Sequence, residues 1–224
     1  MIRLRWLFCA ALAAGALRAD SREQILQRMD EGSKKLKTVS AKLHELSYNA
    51  VIQDTTTQEG ELRLRRGKNG LSGVLMFTTP NDEHSIGFNG RTIETYFPKA
   101  NQVDVMNVGK NAAQLDQFIL LAFGAAGSDL EKNYEVSLAG TQAVNGTTCD
   151  HLELIPKSPE ARKFATKIEL WIPQGQSNAI QEKVTEPSND YILNTYSEVK
   201  LNPSLPDSAY ELKLPPGVKR INAK

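Results

Sequence analysis

Ser85-Ile86-Gly87-Phe88-Asn89-Gly90-Arg91-Thr92-Ile93-Glu94-Thr95-Tyr96-Phe97 is the stretch that decides the fold class. Two runs with period-two alternation flank an Asn-Gly pair, and both of those residues tolerate the positive φ of a tight turn. The stretch therefore reads as a β-hairpin turning at Asn89-Gly90. The same alternation continues on either side. Upstream it carries Tyr48, Val51, Leu62, Leu64, Val74 and Met76, interrupted at Lys68-Asn69-Gly70 and Pro80-Asn81-Asp82. Downstream it predicts strands over 102–108, 134–138, 147–155, 167–172, 179–185, 191–199 and 210–214, with Asn145-Gly146 as a second hairpin turn. Ten or so short strands, tight turns, no βαβ alternation and no repeat of fixed period indicate one α+β domain built mainly on a large antiparallel sheet. In Lys167-Ile168-Glu169-Leu170-Trp171-Ile172 charged and apolar residues alternate, as on a sheet with one wet and one dry face.

Helical spacing interrupts the strands in three places. Ile25, Leu26, Met29, Leu36, Val39 and Leu43 recur at three- and four-residue steps after Ser21, which predicts one broken helix or two over 21–45, weakened at Gly32-Ser33. Over 111–126, Leu115, Phe118, Ile119 and Ala122 form one stripe, and Leu120, Leu121 and Phe123 lie outside it. A helix apolar on nearly all sides must be covered on nearly all sides, either as a core helix or as a cover over an apolar cavity. A third, short helix over 159–164 begins with Ser158 as cap and Pro159 at its first position.

The 224 residues are 40% apolar and 24% charged, a globular composition. Lys and Arg total 27 against 26 Asp and Glu, which argues against a nucleic-acid partner. The start reads as a secretory signal peptide over residues 1–19: Arg3 and Arg5, an uncharged run from Trp6 to Leu17, then cleavage after Ala16 or Ala19. That run is too short to span a bilayer, so a polytopic membrane protein is excluded. Removing Arg3, Arg5 and Arg18 leaves 24 basic and 26 acidic residues in a single domain over 20–224. One cysteine remains, Cys149, expected to be buried as a small apolar residue.

Catalytic signatures are missing. His44, His84 and His151 show no HxH or HExxH spacing, so no metal is expected. There is no Gly-x-Ser-x-Gly elbow and no Gly-rich phosphate loop, so neither a catalytic residue nor a cofactor is expected. Binding is favoured over enzymatic activity.

The order of segments resembles the LolA family of periplasmic outer-membrane lipoprotein carriers. The likeness covers about residues 22–221 and is clearest in Gly60-Glu61-Leu62-Arg63-Leu64-Arg65-Arg66, Thr79-Pro80 and Ile86-Gly87-Phe88-Asn89-Gly90 through Tyr96-Phe97-Pro98. Gln102-Val103, the apolar segment at 112–123, Leu152-x-Leu154-x-Pro156 and Leu214-Pro215-Pro216-Gly217-Val218 follow in family order. The resemblance implies a half-open β-barrel with a helical lid, whose cavity holds the acyl chains of lipoproteins or another lipid. It implies a monomeric periplasmic chaperone that takes cargo from an inner-membrane release complex and delivers it to an outer-membrane acceptor. The alternative is a LolA-like sensor domain that binds a membrane-anchored regulatory protein. Arg66 matches the family arginine that closes the lid; it shares strand parity with Leu62 and Leu64, and an arginine on an apolar face requires partners. Leu62, Leu64, Leu115, Phe118, Ile119, Ala122 and Leu170 are the expected cavity and lid residues.

Overall fold

The computed structural model describes residues 20–67, 70–109, 116 and 118–222; the expected signal peptide over 1–19 and Leu115 lie outside them. Helix α1 spans Arg22–Lys35. Ser21 caps it reciprocally: its hydroxyl accepts from the Gln24 amide at 3.3 Å while the Gln24 side chain accepts from the Ser21 amide at 2.8 Å. Strands follow at β1 (Thr38–Asn49), β2 (Asp54–Gly67), β3 (Gly70–Phe77), β4 (His84–Asn89), β5 (Thr92–Phe97) and β6 (Gln102–Asn107). After residues 118–119, which are helical, and the turns at 120–124 come α2 (Gly127–Asn133), β7 (Tyr134–Val144), β8 (Thr147–Pro156), α3 (Pro159–Arg162), β9 (Lys167–Pro173), β10 (Gln181–Thr185), β11 (Tyr191–Leu201) and β12 (Lys219–Asn222).

These strands form one twelve-stranded sheet in the order β12-β6-β5-β4-β3-β2-β1-β11-β10-β9-β8-β7. Neighbours are antiparallel except β12 with β6. The sheet curls without closing. Leu62 and Leu64 of β2, Leu152 of β8 and Leu170 of β9 stand strands apart, yet they share one apolar cluster with Ile25, Leu26 and Met29 of α1 and with Leu121, Ala122 and Phe123. The sheet bends around the helical pieces, which cover its concave face. This is the expected fold class. On the convex face, the segment after β11 crosses β2–β4. Arg65 pairs with Asp207 at 2.8 Å and lies 5.5 Å from the centre of the buried Tyr210 ring, while Leu212 packs over Gly87.

Several local expectations need correction. Residues 38–45 are strand, not helix. Leu36, Val39 and Leu43 do fit helical steps, but Val39, Ala41 and Leu43 also alternate, and pairing with both β2 and β11 decides between the two patterns. Residues 210–214 form no strand; Asp207–Tyr210 is a single 3-10 turn, and the following chain lies across the sheet face. The hairpin loop falls on Gly90-Arg91, one residue later than read, because Asn89 pairs with Thr92 and only Gly90 needs positive φ. The Asn145-Gly146 turn is where expected, with φ of 47° and 79°.

Helices α1 and α2 touch backbone to backbone. A Cβ on Gly127 would lie 2.2 Å from the Leu26 carbonyl oxygen, a collision no rotamer change relieves. Gly127→Ala is therefore expected to cost about 1–3 kcal/mol in urea unfolding; an unchanged midpoint would contradict this packing.

Candidate functional site

The concave face is built by alternation. In β2, Gly60, Leu62 and Leu64 are buried while Glu61, Arg63 and Arg65 are partly exposed. Register sets Leu62 opposite Ala41 and Leu75, and Leu64 opposite Val39 and Gly73, so one row of small and branched side chains crosses the neighbouring strands. Leu75, Ile86 and Phe88 extend this surface and are only half-buried. Of the expected cavity residues, Leu62, Leu64, Ala122 and Leu170 lie together in the apolar cluster, and Ile119 packs against it. Phe118 stands at the solvent edge, 42% exposed. The stripe drawn from helical spacing does not hold past residue 119, because 120–124 coil in tight turns. Leu121 and Phe123, placed outside the stripe, are buried together with its member Ala122.

Arg66 rises from this face with its donors aimed at the cover. Its Nη1 donates to the Ser33 carbonyl of α1 at 3.0 Å, and its Nη2 donates to the Gly124 carbonyl. Burial pulls its pKa below the usual guanidinium value, against the opposing charges of Asp129 and Asp116; a guanidinium stays charged regardless. A Cβ on Gly124 would come within 2.8 Å of Nη2 and 2.7 Å of Leu36 Cδ2, so a larger residue there would displace the ends of both side chains. Two further bonds hold the same segment. The Leu71 amide donates to Asp116 Oδ2 at 3.1 Å, and the Ala179 amide to the Ala122 carbonyl at 2.6 Å. A cleft of about 530 Å³ opens between α1 and the 175–178 loop, with Leu36 and Phe123 in its wall, Arg28, Glu31 and Lys35 around it, and Leu201 and Asn202 at its edge.

Two clusters escaped the sequence reading. On the concave face, Glu182 is 5% exposed and its Oε2 accepts from the Tyr196 hydroxyl at 3.2 Å. Burial raises its pKa to about 7, which the Tyr196 bond only partly opposes. Glu45, two strands along in the same row, is also pushed up by burial. The signal was available: in Gln181-Glu182-Lys183-Val184, Glu182 has the parity of Val184. On the convex face, His151, Glu153 and Glu169 bring ligand-type atoms within 4.8 Å of one another. Lys167 already sits there, 3.2 Å from Glu153 Oε1 and 3.3 Å from Glu169 Oε2, and His151 stacks on Trp171 at 4.5 Å. Lys167 offsets the charge of one of the two carboxylates. Cys149 is fully buried with its thiol pKa raised by desolvation, as an unreactive core residue should be.

A family model described as "Predicted periplasmic protein (DUF2092)" matches residues 22–223. The chain belongs to this family. An uncharacterized protein, MJ0687, of Methanocaldococcus jannaschii is 24% identical over 220 residues, 97% of this chain and 59% of its own length. The chain thus spans under two thirds of that relative. Among solved structures, an uncharacterized conserved protein from Thermus thermophilus aligns at a TM-score of 0.55 and 11% identity, covering 91% of this chain and all of its own. MucB, whose complex with MucA is from Pseudomonas aeruginosa, aligns at 0.53 and 10% identity over 86% of this chain and 62% of its own. A LolA superfamily protein from Nitrosomonas europaea shows a more distant likeness, at 0.39 and 15% identity over 87% and 99%. These likenesses are of fold.

Glu182 ties the stability of this DUF2092 domain to pH. Its folded-state pKa of about 7 exceeds the ordinary 4.5, so between those values the native state binds more protons than the unfolded chain. The contribution is full below the lower value and is lost as pH rises through the upper one. The melting temperature is expected to fall between pH 5 and 8, and Glu182→Gln to reduce that fall by about 5 °C in thermal denaturation. Equal slopes in both proteins would contradict the assignment.

Proposed function

We propose that this protein is a periplasmic carrier that takes the acyl chains of lipoproteins, or of another lipid, into its concave face beneath the helical cover. In this reading it shuttles cargo from an inner-membrane release complex to an outer-membrane acceptor. The observation that carries it is Arg66: one cation on an apolar face clasps backbone carbonyls of both covering pieces, α1 through Ser33 and the 120–124 turns through Gly124. Apolar contact alone would hold a permanent core segment. A clasp of a few polar bonds over greasy contacts suits a segment that leaves and returns. Each methylene moved out of water is worth about 0.8 kcal/mol, so an acyl chain can replace the contacts that the cover gives up.

Other features support the same reading. Leu75, Ile86 and Phe88 continue the apolar face beyond the fully covered part. The cleft beside Leu36 and Phe123 opens next to two residues of the cover. No helix among the described residues is long and apolar enough to cross a membrane. A second reading, a sensor domain that binds a membrane-anchored regulatory protein, draws on the fold shared with MucB, a protein solved in complex with MucA.

Native mass spectrometry of protein taken gently from the envelope separates the two. The carrier reading expects co-purifying acyl chains, and lipid-free protein would count heavily against it. Arg66→Leu removes the clasp while keeping an apolar side chain. The clasp exists only in the closed, empty state, so its loss is expected to slow release of a bound fluorescent fatty-acyl probe by about tenfold, the equivalent of one charge-assisted hydrogen bond, with the far-UV circular dichroism unchanged. Unaltered release kinetics would remove Arg66 from that role.

A further inference from the structure

We propose that the concave face carries a polar seat for a hydrogen-bond-donating head group, the amine end of an amphiphile, formed by Glu182, Asn194 and Tyr196 beneath Phe123. The inference rests on the carrier reading above and names the cargo chemistry that reading leaves open. Strand register assembles the seat. Glu182 of β10 stands opposite Leu170 of β9 on one side and Asn194 of β11 on the other, and Asn194 stands opposite Glu45 of β1. Leu170, Val184 and Tyr196 belong to the covered apolar cluster, so the row faces inward.

The seat lacks donors. Glu182 Oε2 receives the Tyr196 hydroxyl, but Glu182 Oε1 is buried without a partner, and so is Asn194 Oδ1 in the adjacent position. Once Glu182 is ionised, two neighbouring orphan acceptors are a standing cost that a donor would remove. The groups that face them do not supply one in the form of a cation: Tyr196 is a buried phenol, Tyr134 a partly buried one, and Glu45 is a second carboxyl, with His84 near Glu45. An ammonium brings several N–H donors and the compensating charge. A carboxylate or phosphate head would add a like charge to a site that already holds two carboxyls.

The same row gives the attached chain its direction. Beyond Leu170 it continues through Leu152 of β8 to Leu138 of β7, so it runs from polar seat to apolar track. Phe123 of the cover packs edge-on against Tyr196 at 4.6 Å, which places the seat under the 120–124 turns. Lifting those turns exposes seat and track together.

Calorimetric titration of the purified protein with decylamine and with decanoate at pH 8, each below its micelle threshold, tests the assignment. The wild-type protein is expected to bind decylamine about tenfold more tightly than decanoate. Glu182→Gln, which keeps the shape but loses the charge, is expected to bring the ratio near one, and Asn194→Leu to lower it, with both variants melting cooperatively. Equal affinities in the wild type, with both ligands bound, would overturn the seat and leave the carrier reading standing. A preference that survives in both variants would place the amine elsewhere and likewise overturn it. If neither amphiphile binds, the carrier reading fails and the seat fails with it.

Discussion

A twelve-stranded sheet that bends without closing carries Leu62, Leu64, Leu152 and Leu170 on a surface that strand pairing cannot shield from water. Backbone bonds satisfy the strands' own polar groups, yet the inward side chains still need cover from another element. Here the chain supplies it in pieces: α1, residues 118–124, and α2. Each buried leucine-sized side chain is worth about 1.5–3 kcal/mol, and a hydrogen bond to a charged group about the same. The apolar contacts therefore outweigh the clasp in sum, and the clasp decides where the pieces sit. An apolar ligand offers the sheet contacts of the same kind, so exchanging cover for cargo need not expose the face at any stage.

The two faces of the sheet are closed in different ways. The convex face is covered by chain that ends in strand pairing: the segment through Tyr210 and Leu212 runs on into β12, which is bonded along β6. The concave cover has no such ladder among the described residues. It is fixed by side-chain and single backbone bonds, among them those at Arg66, Asp116 and Ala179, the Arg22 bond to the Val136 carbonyl, and the Arg28 bonds to the Gln176 carbonyl and Asp150. The polar groups at Glu182 and Asn194 are further evidence that this face was not shaped only to be a core. A permanent interior would be expected to pair or replace such acceptors.

Much of this was legible in the residues. Asn145-Gly146 and the alternation around residues 85–97 announce antiparallel hairpins, and the parity of Leu62, Leu64 and Arg66 places a cation on the apolar side before any coordinates. Other parts were not, for identifiable reasons. Val39, Ala41 and Leu43 satisfy both a strand period and, with Leu36, a helical one; only two flanking strands resolve the tie. The burial of Phe123 in place of Phe118 follows from tight turns that abandon the 3.6-residue period. Glu182 beside Asn194, and His151 beside Glu169, are meetings across strands distant in sequence, and a single chain does not state its register. The carbonyl partners of Arg66 are backbone atoms, which leave no trace in residue type.

Hydrogen exchange of the protein with and without a bound acyl amphiphile tests most directly whether the cover is a movable substitute for cargo. The account requires that amides of α1 and of residues 118–124 exchange faster on loading, while those of β1, β2, β8 and β9 keep their protection. Loading that leaves the covering segments as protected as before, or that loosens the strands instead, would contradict it.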